Sequence, residues 1–518
     1  MRRSRLTRSV ALLVVLLATA VPWTASEAQD LSLKDQVIER VLDNGLTVLM
    51  VVRPEAPLIR SILAYRVGSV NERPGITGIS HFHEHMMFKG SYTIGVKPGM
   101  IDRDLEIIAQ IDQIMANIVE EESKVLGRDE DQIIAWKAEV ADLIQRQRDE
   151  TIENNELWGA YQSAGGTGIN ASTGQEITQY YVTLPKNKIE LFLALEADRM
   201  MNPVFREFYS ERDVIAEERR MSENRPGFFF NEQLNSTFYA AHPYSWSVLG
   251  WMSDVAHVTR DEMKEYRDLY YRPDNATLVM AGDMDVDATM ALVEKHFGKI
   301  PSKGKSPRVR TREPNPEFYR ETVGPNFDAP YIEKRVYGRA ATTPSVQILF
   351  HIPPLWHPDL APLYMLGQVL SSRSGDMYKT MVLDREHATG VSARASNSMY
   401  DGSFRFSASA KEMRGEQVAS SNAIEAELWD FIEEAKTQPM DADLLQRVKN
   451  RVEANFLQSL RGTGIASSLA RMETAYEWEF IEEQYRQRMA VTPEDMMAAA
   501  QKYFTRDNSV TGVLERER

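Results

Sequence analysis

The sequence predicts two related α+β halves, each a sheet with packed helices, joined by a linker. Three observations carry this fold class: an internal repeat at fixed offset, a proline-rich stretch in mid-chain, and strand-like runs separated by long segments of helical period. Val258-Thr259-Arg260-Asp261-Glu262-Met263 precedes a helix-like run ending at Tyr270-Tyr271-Arg272-Pro273-Asp274-Asn275. Val491-Thr492-Pro493-Glu494-Asp495-Met496 precedes Tyr503-Phe504-Thr505-Arg506-Asp507-Asn508 at a constant offset of 233 residues. In each copy Thr is placed to cap a helix whose first turn is acidic. Each Asp-Asn then leads into an apolar strand, at 276–281 and 509–514.

Composition bounds the function. The chain has 518 residues, 43% hydrophobic and 26% charged, which excludes wholesale disorder. It has no cysteine, so disulfides, thiolate metal sites and cysteine nucleophiles are ruled out. A net charge of −15 speaks against nucleic acid as a partner.

Taken in order, residues 1–28 read as a secretory signal peptide. Arg2, Arg3, Arg5 and Arg8 precede an apolar run at 10–21, and Ser26-Glu27-Ala28 offers a cleavage site. The run falls short of the roughly 20 residues of a spanning helix. The mature chain is expected to be exported, periplasmic or secreted, with no integral membrane segment; retention of the segment as an anchor is the alternative. Strands are expected at 46–52 and 59–67. The first half is placed at 29–300.

The next element is His81-Phe82-His83-Glu84-His85. On a helix of about 100° per residue, His81 and His85 lie about 40° apart and Glu84 falls on the same face. Two imidazoles one turn apart can bind one divalent cation, and a carboxylate beside them can reach a metal-bound water. His83 points about 200° away from His81 and is expected to pack or to face solvent. With 9 histidines in the chain, such a cluster is rare by chance. Imidazoles suit Zn²⁺, and without Cys the set must be completed by N or O donors.

Residues 101–152 read as an antiparallel pair of amphipathic helices. Ile101, Leu105, Ile108, Met115 and Ile118 form one stripe, and Ile133, Trp136, Val140, Leu143 and Ile144 the other. A structural insertion and a substrate gate or docking arm are both open readings. Further on, Glu211, Val214, Ile215 and Glu218 fall on one helical stripe that mixes apolar residues with two carboxylates. A buried carboxylate needs a compensating charge, which a metal supplies; Glu218 is thus a candidate third ligand. Glu217, about 100° away, is expected to face solvent or arginines.

Residues 301–328 carry five prolines and little apolar periodicity, a linker composition. The second half, 329–518, opens with a strand at 345–352.

Together these pieces resemble the pitrilysin, insulinase and mitochondrial processing peptidase family of inverted-motif zinc peptidases. The resemblance rests on Gly78-Ile79-Ser80-His81-Phe82-His83-Glu84-His85-Met86-Met87-Phe88-Lys89-Gly90-Ser91, Asn170-Ala171-Ser172-Thr173, Glu211 to Glu218, His242-Pro243-Tyr244 and Tyr271 to Thr277. It implies that His81, His85 and Glu218 ligate one Zn²⁺ per chain, that Glu84 is the general base, and that Glu211 supports the site. It implies that Asn170 and Ala171 lie on an edge strand that pairs with extended peptide substrate. Two halves facing each other would enclose a chamber suited to peptides and unfolded segments. The second half resembles the family's non-catalytic repeat, with strand 346–352 and Pro358-Asp359-Leu360 standing where the zinc motif would be. Two departures stand out. The span between His85 and Glu218 is lengthened by 101–152, and Val382 and Thr389 stand where the family has a substrate-binding Arg and Tyr, with Arg385 out of register. The resemblance therefore implies a homo- or heterodimer in which another subunit supplies that pair. The alternatives are a non-catalytic assembly subunit and a metal-dependent hydrolase of non-peptide substrates.

Overall fold

A computed structural model describes residues 32–302, 304–315 and 333–517. The signal segment and positions 316–328 of the proposed linker lie outside the described residues. The first half forms a six-stranded sheet from β1 (Val37–Val41), β2 (Thr47–Val52), β3 (Leu58–Tyr65), β4 (Thr167–Thr173), β5 (Thr178–Pro185) and β6 (Ala276–Gly282). Their spatial order is β1-β2-β6-β3-β5-β4. The second half forms a five-stranded sheet from β7 (Lys334–Ala340), β8 (Ser345–Ile352), β9 (Ala388–Ala395), β10 (Gly402–Ala410) and β13 (Ser509–Arg516), in the order β7-β13-β8-β10-β9. A small ribbon, β11 (Glu412–Met413) with β12 (Glu416–Gln417), stands apart.

Without β1 the two orders coincide. β2 pairs β6 in parallel, as β7 pairs β13, and the remaining pairs in both sheets are antiparallel. The repeat seen in sequence is visible in atomic detail. Thr259 and Glu262 form a capping box at the start of one helix, and Thr492 and Asp495 form its counterpart. Each helix ends in a short 3₁₀ turn that feeds a central strand, β6 or β13.

The helices of the first half are α1 (Ile79–Met86), α2 (Ile101–Glu122), α3 (Glu130–Glu150), α4 (Glu156–Ser163), α5 (Ile189–Met201), α6 (Phe208–Glu223), α7 (Phe228–Phe238), α8 (Met252–His257), α9 (Arg260–Tyr270) and α10 (Val286–Phe297). One face of the first sheet, with Val48, Met50, Leu63, Leu278 and Met280, shares a core with Phe82, Phe192, Phe208, Met263 and Val293. The other face, with Leu49, Val51, Ile62, Val279 and Ala281, is covered by Ile465, Ala466, Leu469 and Ala470 of the second half. All seven residues of β6 are buried, as a strand covered on both faces should be.

The covering is reciprocal. Helix Ile465–Ala475 lies against β3 and β6, and α7 lies against β7 and β13. Phe230, Leu234 and Phe238 of α7 meet Val336, Leu349, Val510 and Leu514. Glycines make this approach possible: a Cβ at Gly338 or Gly512 would come within 2.7 Å of Phe230 or Leu234. At these two faces the halves meet through packed side chains, not across the open chamber expected between them. Each sheet has a second apolar face to bury, and the neighbouring half supplies the helix that buries it. Helix α1 lies on the far side of the first sheet.

Helices α2 and α3 form the expected hairpin, with Ile107, Ile111 and Ile118 packed on Ile133, Val140 and Leu143. The α2 stripe is rotated from the expected one: Ile101, Leu105 and Met115 are only half-buried. The rotation brings Asp104 into the interior, where it is fully buried. Among the described residues no helix is long and apolar enough to cross a membrane.

Candidate metal centre

Helix α1 is held at its N-terminus by Glu72. One carboxylate oxygen accepts the Gly78 amide at 2.8 Å and the other accepts the Ser80 amide at 2.9 Å. A buried acid at this end favours the helix and fixes its first turn. Gly78 has φ of 90°, and a Cβ there would lie 2.8 Å from the Leu249 carbonyl oxygen. Glycine is therefore required to start the helix here.

Helix α1 packs against α6 and the end of β4. The His81 and His85 rings lie 4.8 Å apart, centre to centre. Nε2 of each lies 3.8 Å from the same oxygen of Glu218. Donor atoms of these three residues all fall within 4.8 Å of one another. A tetrahedral zinc with ligands about 2.0–2.1 Å away separates its donors by somewhat over 3 Å, so a small inward movement closes the set. Two imidazoles and a carboxylate are also a donor set of catalytic zinc. The Glu218 side chain is 45% exposed, so the donor set reaches solvent on that side.

The tautomers suit this use. His85 Nδ1 meets Glu211 Oε1 at 2.9 Å, so the proton belongs on Nδ1 and the Nε2 lone pair faces Glu218. Lys89 Nζ lies 2.7 Å from the other Glu211 oxygen. Burial alone would raise the Glu211 carboxyl, but the bonds from His85 and Lys89 outweigh it and hold it at about 2. Burial and the neighbouring His85 push His81 down to about 4, so it is a neutral imidazole near pH 7.

Glu84 is buried beside the cluster. Burial raises its pKa, opposed by a hydrogen bond from Thr173 and by His85. The Thr173 hydroxyl donates to Glu84 Oε2 at 2.7 Å. His83 points away, as expected, and stacks on Tyr271 with ring centres 3.6 Å apart. Glu217 is exposed and pairs with Arg220 at 3.0 Å. Asn170 and Ala171 lie on β4, the last strand of its sheet, bonded to β5 on one side only among the described residues. A cleft of about 390 Å³ opens beside the cluster, lined by Glu84, His85, Trp158, Asn170 and Glu207 among others.

In the second half, Val382 packs against the core. The Thr389 hydroxyl donates to the Ser409 carbonyl at 3.3 Å, and Arg385 is bound to Glu427 at 3.0 Å. Sequence reasoning assigned no role to Lys89 or Thr173. The spacing of Lys89, four residues beyond His85, places it on the same side of the chain, a signal that was available. Thr173 stands in the quoted Asn170 motif, but nothing in that motif says which side chain it meets.

Comparison with known proteins places both halves in one family. The model for "Insulinase (Peptidase family M16)" matches residues 47–102 and 148–250, and the "Peptidase M16 inactive domain" model matches 257–452. The break between 102 and 148 falls within the α2–α3 hairpin, so most of the hairpin lies outside the residues that this model matches. The zinc protease PqqE of Helicobacter pylori is 24% identical over 482 residues, covering 92% of this chain and 91% of that one. In fold, the chain is similar to a protease from Helicobacter pylori (TM-score 0.72, 22% identity, 93% of this chain and 99% of that one). It is also similar to the periplasmic protease PqqL from Escherichia coli (TM-score 0.65, 17% identity), covering 93% of this chain and 48% of that one. The chain belongs to the insulinase family, peptidase family M16, and is a metallopeptidase of its two-repeat α+β fold.

Proposed function

We propose that the protein is an exported zinc peptidase that cleaves extended peptides or unfolded segments, with Glu84 as the general base. The observation that carries this reading is the convergence of His81, His85 and Glu218 beside a buried Glu84. These three residues would hold one zinc ion per chain. When bound, zinc supplies Lewis acidity, lowering the pKa of a water and polarising the scissile carbonyl. Glu84 takes the proton of the attacking water and passes it to the leaving amine. Glu211 fixes the His85 ring through Nδ1, and Lys89 keeps Glu211 ionised. The open edge of β4, at Asn170 and Ala171, takes the substrate backbone as an added strand. The arginine-rich leader supports export.

A partner subunit supplies what the second half lacks. Val382 and Thr389 offer neither the cation nor the phenol that the family uses to hold substrate. The site also opens away from the second half, toward whatever covers that face. The partner is a second copy or a related chain carrying the Arg and Tyr.

The test is Glu84→Gln, which preserves shape and removes the base. Peptide hydrolysis is expected to vanish while zinc content stays that of the wild type. Full hydrolysis by the variant would remove Glu84 from the mechanism.

A further inference from the structure

A base beside a metal has two oxygens and two ways to go wrong: its carboxylate can ligate the cation, or it can turn away from the water. Glu84 Oε2 is held by the Thr173 hydroxyl at 2.7 Å. That leaves Oε1 as the oxygen free to accept a proton. Thr173 is itself tightly placed. It is the last residue of β4 and pairs with Thr178, the first of β5. The turn that follows is pinned to the segment before α1: the Ser69 amide donates to the Gly174 carbonyl at 3.2 Å, and the Val70 amide to the Gln175 carbonyl at 2.9 Å. The approach is so close that a Cβ on Gly68 would lie 2.4 Å from the Gly174 oxygen. Two residues beyond Val70, Glu72 caps α1. One rigid junction thus fixes both the helix that carries Glu84 and the hydroxyl that orients it.

We propose that Thr173 is a positioning residue for the base: its hydroxyl fixes the Glu84 carboxylate and ties it to the strand that receives the substrate. The proposal rests on the reading of Glu84 as general base. A peptide drawn into register on β4 is then aligned against a carboxylate held by the same strand. Geometry set this way supplies rate, because misplacing a reacting group by about 1 Å costs about 100-fold.

The test compares Thr173→Val, which keeps the shape and loses the donor, with Thr173→Ser, which keeps the donor. Both are made in the full chain, in whichever preparation cleaves peptide, alone or with its partner. For Thr173→Val we expect kcat to fall roughly 10- to 100-fold with KM and zinc content unchanged, and a crystal structure of it to show the Glu84 carboxylate turned. Thr173→Ser should restore kcat to within a few-fold. Unchanged kcat in Thr173→Val overturns the proposal. So does a loss that appears as raised KM, lost zinc or lowered Tm and that Thr173→Ser does not rescue. Glu84→Gln separates the two claims: if it is inactive while Thr173→Val is fully active, only the positioning role fails; if it is fully active, both fail.

Discussion

At the scale of the residue, His83 is the informative contrast to its neighbours. It sits between two candidate ligands in sequence, yet it is wholly buried on the opposite face, and neither ring nitrogen has a hydrogen-bond partner among the described residues. Burial, with Arg267 and Arg199 nearby, pushes its pKa well below the usual range, so the ring is neutral. A buried polar group without partners costs stability that an apolar ring of similar shape does not. His83→Phe is therefore expected to raise stability by about 1 kcal/mol and to keep zinc and peptidase activity. Thermal unfolding and metal analysis check this; loss of zinc would put His83 in the site. Helical period alone separated His83 from His81 and His85, because all three share one short element. It could not show that Thr173 meets Glu84, since those residues lie 89 positions apart and only the fold joins them.

At the scale of the element, the α2–α3 hairpin is fastened at its base and free at its tip. Asp104 accepts hydrogen bonds from Gln147 at 2.9 Å, Thr151 at 3.0 Å and Arg206 at 3.0 Å. Arg206, also fully buried, donates to the carbonyls of Lys89, Ile94 and Ser91. The hairpin is thereby bound to the loop that follows the candidate metal helix and to the approach to α6. At the far end Val125 and Leu126 are 95% and 89% exposed. Asp104→Ala leaves a buried guanidinium without its counter-charge and is expected to cost about 3–5 kcal/mol, while Val125→Ser should leave Tm unchanged. Equal Tm for Asp104→Ala and wild type would contradict the anchoring role. The helices themselves were legible from apolar spacing. The rotated stripe was not, because an aspartate reads as a surface residue until the arginine that neutralises it, 102 positions away, is brought beside it.

At the scale of the whole molecule, two repeats each complete the other. The duplication was legible at its most regular stretch, where a capped helix, a 3₁₀ turn and a central strand recur. The exchange of α7 and helix Ile465–Ala475 was not, because an amphipathic pattern tells that a face is buried and not by which half. That exchange packs one face of each sheet against a helix of the other half, and α1 lies on the opposite face of the first sheet. The chain on its own is expected to cleave peptides weakly or not at all, and co-purification with its partner to restore activity; robust hydrolysis by a homogeneous preparation of this chain would remove the need for another subunit. The expectations about peptide cleavage stand on one cation held by His81, His85 and Glu218. Its most direct test is the zinc content of the purified wild type, Glu218→Gln and Glu217→Gln, measured side by side. One zinc per chain is expected in the wild type and in Glu217→Gln and a marked loss in Glu218→Gln; full zinc in Glu218→Gln would remove Glu218 from the ligand set.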